Sequence, residues 1–285
     1  MVNNATPLIK INEKIYAKLE TYQPTGSIKD RMISYIVDQA LRDGEITPGH
    51  TELIEATSGN TGISLAAYAA RLCCPCTIIM PQNMSEQRKI MMRAFGATII
   101  EVGDNAFQEA IKVRNSKIRE SKKFKGENAI WTPDQFENKL NVKCHYEMTA
   151  PEIYDEVSFL DLDWQAFVHG AGTGGTMMGV KKFVDHYDLG VECILTQPFE
   201  NSEEHGIQGI NDGQDFLLDP MLIDQTVKVK TKDAIARMKR FAKEYGLLVG
   251  ISSGANLCAA EEYVKKYKPQ GVVITMLCDR GERYL

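Results

Sequence analysis

The chain has 285 residues, 44% of them hydrophobic and 25% charged, with a formal net charge of −5 at pH 7. That length exceeds what one compact core usually holds, so one large domain or two interlocked ones are expected. The acidic balance gives no broad pull toward nucleic acid or a membrane surface, no run approaches the ~18 consecutive apolar residues of a membrane span, and the opening MVNNATPLIKINEK lacks the basic-then-apolar layout of a secretory signal.

A cytoplasmic setting is therefore expected, with the seven cysteines as thiols. CCPC at 73–76 has no second Cys/His pair at finger spacing and reads as the start of the strand CTIIMP. The basic run KVRNSKIRESKKFK reads as a solvated helix face, since no nucleic-acid motif accompanies it.

In chain order, the first strong signal is TYQPTGSIKDRMISYIVDQAL. A Pro-Thr-Gly-Ser turn precedes a helix marked by Met32, Ile33, Ile36, Val37, Ala40 and Leu41. Asp30 suits the start of that helix; Lys29 does not, because a cation there opposes the helix dipole. Strand and helix patterns then alternate. TELIEAT leads into GISLAAYAARL, and CTIIMP into EQRKIMMRAFG, with Ser85 as N-cap and Gly96 as stop. ATIIEVG leads into AFQEAIKVRNSKIRESKKF, and WQAFVHG through a glycine-rich turn into MMGVKKFVDHY. VECILTQP is a strand, KDAIARMKRFAKEYG a helix, LLVGISS a strand with a turn, ANLCAAEEYVKKY a helix and GVVITMLCD a last strand. Such repeated βα units predict an α/β fold with mostly parallel twisted sheets covered by helices. A composition shift near DQFENKLNVK marks the boundary between two α/β halves.

Three motifs fall at strand ends, where open α/β sheets bind ligands. EATSGNTG, residues 55–62, is either an ordinary capped turn or an anion site built from backbone N–H groups and the hydroxyls of Thr57, Ser58 and Thr61. GAGTGGT, 170–176, has four glycines in seven residues and suits a phosphate nest. It lacks a P-loop lysine, and its G-x-G-x-x-G match has no clear ribose-binding acid, so a nucleotide site stays open on this motif alone. GISSGAN, 250–256, is a tight turn or a third binding element. Together with Lys29 these pieces point to a cofactor carrying a phosphate, an aldehyde and a heteroaromatic ring. A lysine condenses with such an aldehyde, and pyridoxal 5'-phosphate supplies all three features. A helix N-terminus disfavours the charged form of a nearby amine, which gives Lys29 a reason to stand there.

TPLIKI, AKLETYQPTGSIKDR, LIEATSGNTGISLA, IIMPQNMSEQRKIMMRAFGA, DQFEN, HYEMTAPEI, GAGTGGTMMGV, QGIN, VGISSGAN and CDRGERYL occur in this order over nearly the whole chain. In that ordered set the sequence resembles the cysteine synthases (O-acetylserine sulfhydrylases) of the tryptophan-synthase-β-like, fold-type-II pyridoxal-phosphate enzymes. Its ending is most like the B-type members. The resemblance implies two interlocked domains, a smaller mobile one over 24–138 and a larger one from 5–23 and 139–285. It implies Lys29 as the lysine linked to the cofactor aldehyde and later the carrier of the Cα proton. Asn60 would bond the cofactor's phenolic oxygen, and Gly172, Thr173, Gly174, Gly175 and Thr176 would cradle the phosphate. Ser252 would face the pyridine nitrogen, a hydroxyl that leaves it largely unprotonated. Thr57, Ser58, Thr61 and Gln135 would bind the substrate carboxylate. The implied reaction is β-replacement, in which an O-activated serine, O-acetylserine in the family, is converted to cysteine by sulfide or a related donor. A homodimer, and serine acetyltransferase as a candidate partner, come with the same resemblance.

The chain departs from the family in places. Only NEKIY separates TPLIKI from AKLE, FENKLNV lacks the prolines of its loop, and Gln208 and Gly209 stand where B-type members usually carry an arginine. Cystathionine β-synthase and serine/threonine dehydratase are alternatives within the fold, although Thr61 stands where dehydratases usually have histidine. A non-catalytic relative that binds the cofactor or an amino acid is the alternative outside enzymology.

Overall fold

The computed structural model describes residues 5–57, 59–104, 107–121, 129–201, 206–210 and 216–284. In chain order the elements are β1 (Leu8–Lys10), β2 (Ile15–Leu19), α1 (Lys29–Arg42), β3 (Glu52–Ala56), α2 (Asn60–Arg71), β4 (Cys76–Pro81), α3 (Glu86–Ala94), β5 (Thr98–Val102), α4 (Phe107–Ser121), β6 (Ile130–Trp131), α5 (Leu140–Cys144), α6 (Ala150–Phe159), β7 (Trp164–Gly170), α7 (Gly175–His186), β8 (Glu192–Pro198), β9 (Gln225–Val229), α8 (Thr231–Tyr245), α9 (Ile251–Tyr267) and β10 (Val272–Leu277). They fall into two compact units, one spanning 29–134 and the other 4–28 with 135–285. Among the described residues no helix is long and apolar enough to cross a membrane.

The first unit holds a four-stranded sheet, order β5-β4-β3-β6, with every pairing parallel. Ile54 and Ala56 of β3 pack with Ile79, Val102 and Ala110 in one apolar cluster. α3 ends where expected: Gly96 takes φ +87 and its N–H bonds the carbonyl of Arg93. Its start differs from the expectation. Ser85 occupies the N-cap position, but its hydroxyl makes no cap bond and is buried without a partner among the described residues.

The basic run also needs correcting. Arg114 of α4 is buried, not solvated; its Nη1 lies 2.9 Å from Glu55 Oε1 and 3.0 Å from Asp134 Oδ1. Burial alone would disfavour the cation, and the two carboxylates outweigh it, raising the guanidinium's pKa.

The second unit holds a six-stranded sheet, order β1-β2-β10-β7-β8-β9. Only the β1–β2 pair is antiparallel. The strands alternate between two buried faces. Phe167, Cys193, Leu195, Ile274 and Met276 join a cluster with α6 and α7, whereas Ala166, Val168, Ile194 and Val273 join one with α9. Near-continuous apolar strands such as WQAFVHG follow from burial on both sides. LLVGISS is not a strand: Val249 makes one isolated bridge to Arg280, and α9 begins at Ile251. Ser252 and Ser253 therefore lie in a helical first turn. A widened π turn, His145–Thr149, joins α5 to α6.

Candidate active site

The first unit opens directly on α1, with Lys29 its first residue and half-buried. Asp30, the next residue, is buried and accepts a 2.5 Å hydrogen bond from Ser64 Oγ. Ser64 lies one turn beyond Asn60, the first residue of α2. That bond ties the starts of α1 and α2, and with them Lys29 and Asn60.

Thr57 follows β3, its N–H bonding the carbonyl of Ile79 at 3.0 Å. Its hydroxyl accepts from Gly59 N at 3.2 Å, closing a tight hydroxyl turn ahead of α2. A Cβ at Gly59 would lie 2.7 Å from Arg88 Cδ, and one at Gly62 would lie 2.8 Å from Thr57 Cγ2. Gly62 is thus enclosed by Thr57, Met92 and Ile78, and Gly59 by the side chain of Arg88. Thr57 and Thr61 are both buried. Ser58 lies outside the described residues.

In the second unit GAGTGGT turns from β7 into α7, so backbone N–H groups open at the start of a 12-residue helix. The glycines are sterically demanded. A Cβ on Gly172 would stand 2.7 Å from the carbonyl oxygen of Gly209, and one on Gly175 would stand 1.9 Å from Asn141 Oδ1. Gly174 takes φ +87, and a Cβ there would meet the Leu218 nitrogen at 2.5 Å.

Two side chains one helical turn apart brace this loop. Asn141 Nδ2 donates to Thr173 Oγ1 and to the carbonyl of Gln135, both at 2.9 Å. His145 Nε2 lies 3.2 Å from Thr176 Oγ1, while its Nδ1 lies 2.9 Å from Thr149 Oγ1 across the π turn. From below, Asn256 of α9 accepts from Gly170 N at 2.9 Å and donates to the carbonyl of Met276. Ser252, buried in the first turn of α9, faces the same region: the missing Cβ of Gly209 would be 3.8 Å from its Oγ. Gln135 is buried as well.

A cradle of backbone N–H groups kept open by absent Cβ atoms, at a helix N-terminus, fits a phosphate dianion. A buried hydroxyl beside it fits a neutral ring nitrogen. The family described as "Pyridoxal-phosphate dependent enzyme" matches residues 2–279. The chain belongs to this family.

Among pyridoxal-phosphate dependent enzymes, a curated cysteine synthase of Staphylococcus aureus (strain Mu50) is 35% identical over 298 residues, covering 98% of this chain and 92% of the relative. A hydrogen sulfide-producing enzyme from Fusobacterium nucleatum superposes with a TM-score of 0.89 at 34% identity, covering 99% of this chain and 87% of that one. An O-acetylserine dependent cystathionine β-synthase from Helicobacter pylori gives 0.88 at 31% identity, covering 99% and 94%.

Sequence reasoning missed several residues that support the candidate cofactor elements. Asn141 and His145 sit over 30 positions from the loop hydroxyls of Thr173 and Thr176, so no local pattern encodes those contacts. Gly209 was visible only as a departure from B-type members; it forms a wall beside Ser252 and Gly172.

Proposed function

We propose that this chain is a pyridoxal-phosphate-dependent cysteine synthase, converting O-acetyl-L-serine and sulfide to L-cysteine and acetate. The glycine cradle opening α7, with a buried hydroxyl rather than a carboxylate at Ser252, is the observation that carries this reading. Family membership and the likeness to cysteine synthases support it. Bound pyridoxal phosphate supplies an aldehyde that condenses with amines and a ring that accepts the electron pair of a broken Cα–H bond.

The chain's residues do the rest. Lys29 Nζ would hold the cofactor's aldehyde and move the Cα proton of the substrate. Gly172, Thr173, Gly174, Gly175 and Thr176 would hold the phosphate. Asn60 would bond the phenolic oxygen. Ser252 Oγ would bond the pyridine nitrogen without protonating it, a setting that favours loss of a β-substituent over transamination. Thr57, Ser58, Thr61 and Gln135 orient the substrate carboxylate. The Cβ–O bond breaks with release of acetate, the donor's sulfur forms the new Cβ–S bond, and Lys29 returns the proton to Cα. Closure of the smaller domain on bound substrate would exclude water during these steps.

A homodimer, a cytoplasmic setting and serine acetyltransferase as a partner belong to the same proposal. The test is turnover of purified, cofactor-loaded protein with O-acetylserine and a panel of sulfide, thiosulfate and small thiols. Cysteine formed from sulfide is expected. Preferential use of homocysteine would move the assignment to the cystathionine enzymes, and a coloured protein inert to O-acetylserine would make it a binding relative.

A further inference from the structure

We propose that the segment Cys278–Tyr284 is a clamp that sets the lysine turn, with Arg280 and Arg283 as positioning residues; the inference rests on the reading that Lys29 carries the cofactor. The turn Gln23–Ile28 delivers the chain to Lys29; three contacts from one short segment fix it, and a fourth fixes Thr21 just ahead of it. Ile28 N donates to the Cys278 carbonyl at 2.9 Å, and Arg280 N donates to the Gly26 carbonyl at 3.1 Å. Arg280 Nε donates to the Thr21 carbonyl at 2.9 Å. The buried guanidinium of Arg283 donates from Nη2 to the Thr25 carbonyl.

Ser27 and Asp279 form an antiparallel bridge between these bonds. Gly26 takes φ +82, and a Cβ there would lie 2.8 Å from Arg280 Cδ, so the arginine stem lies directly on the turn. Within the turn Gly26 N donates to the Gln23 carbonyl at 2.8 Å, whereas Ser27 Oγ and Gln23 Oε1 are buried with no hydrogen-bond partner among the described residues.

The same segment grips the start of α9. Gly250 N donates to the Asp279 carbonyl at 2.9 Å, and Gly281 N donates to that of Leu248 at 3.2 Å. Tyr284 OH donates to Asp279 Oδ2 at 2.5 Å. A Cβ on Gly250 would fall 2.0 Å from Asp279 Oδ1. One heptapeptide therefore sets both the approach to Lys29 and the helix turn bearing Ser252. These are the two groups assigned to the aldehyde and the ring nitrogen. Fixing the turn that precedes Lys29 restricts the paths open to its amine, a positional gain and not a chemical one.

The test compares apo-protein variants with two probes. Deoxypyridoxine 5'-phosphate has no aldehyde and reports phosphate and ring binding alone; pyridoxal 5'-phosphate followed by borohydride reduction reports the covalent bond to Lys29. Arg280 is exposed, so Arg280→Met is expected to fold. Its affinity for the deoxy analogue should stay within about twofold of wild type, while the rate of bond formation at Lys29 falls about tenfold. Arg283→Met should fall at least as far, and Arg280→Lys should recover part of the rate.

Wild-type rates in Arg280→Met would overturn the proposal, and so would a parallel loss of analogue affinity. If Arg283→Met does not fold, Arg280→Met and its lysine rescue decide. A wild-type protein that forms no reducible bond at Lys29 would instead refute the cofactor reading itself.

Discussion

Replacing Gly175 by alanine puts a methyl group 1.9 Å from Asn141 Oδ1 and 2.5 Å from its Cγ. No side-chain contact tolerates that approach, so Asn141 must rotate away. It then gives up the bonds from Nδ2 to the Gln135 carbonyl and Thr173 Oγ1, each contributing about 1 kcal/mol. Overpacking a tight site adds about 1–3 kcal/mol, so the total is about 3–5 kcal/mol. If about 2 kcal/mol of this falls on the phosphate loop, cofactor affinity weakens about 30-fold.

Equilibrium binding of pyridoxal phosphate to the apo-protein and urea unfolding measure the two parts. The control is the double variant. With Asn141→Ala in place, the collision partner is gone, and the added cost of Gly175→Ala should drop below about 1 kcal/mol. A Gly175→Ala protein that binds and unfolds like wild type, or one whose cost is the same in both backgrounds, would refute the packing argument.

Two further outcomes concern buried side chains. Arg114→Met leaves the fully buried carboxylate of Glu55 without its guanidinium and should cost about 3–5 kcal/mol in urea unfolding. The Glu55→Gln, Arg114→Met pair should cost clearly less than the two single changes added, and a single-variant loss below about 1 kcal/mol would contradict a buried pair. Thiol labelling of the native protein near neutral pH should begin at exposed Cys73, because burial pushes the Cys76 and Cys193 thiols up to about 12. Rapid labelling that survives Cys73→Ser would contradict this order.

The elements that sequence made legible are those whose signal is local. Period-3.6 apolar residues mark α1, β-branched runs such as TIIEV mark β5, and GAGTGGT announces a turn into a helix without further help. The glycines were read as room for a bound anion, and the structure adds which neighbour excludes each Cβ: Gly209, Leu218 and Asn141. What escaped depends on distant partners. β1 is three residues long and exists because Leu8–Lys10 pair with Tyr16–Lys18. Arg114 looks like one more cation in a basic run until Glu55, 59 positions away, meets it. LLVGISS reads as a strand by composition, yet Asp279 holds Gly250 by its backbone and α9 takes over at once. The π turn at 145–149 leaves no compositional mark, although it sets His145 beside Thr149 and Thr176.

The central claim is that the amine at the head of α1 bonds the cofactor aldehyde. Borohydride reduction of the coloured holoprotein, followed by proteolysis and mass spectrometry, reads this directly. The account predicts a single pyridoxyl-phosphate adduct on the peptide containing Lys29, absent from Lys29→Ala. An adduct on another lysine, or a coloured Lys29→Ala protein with full turnover, would contradict it.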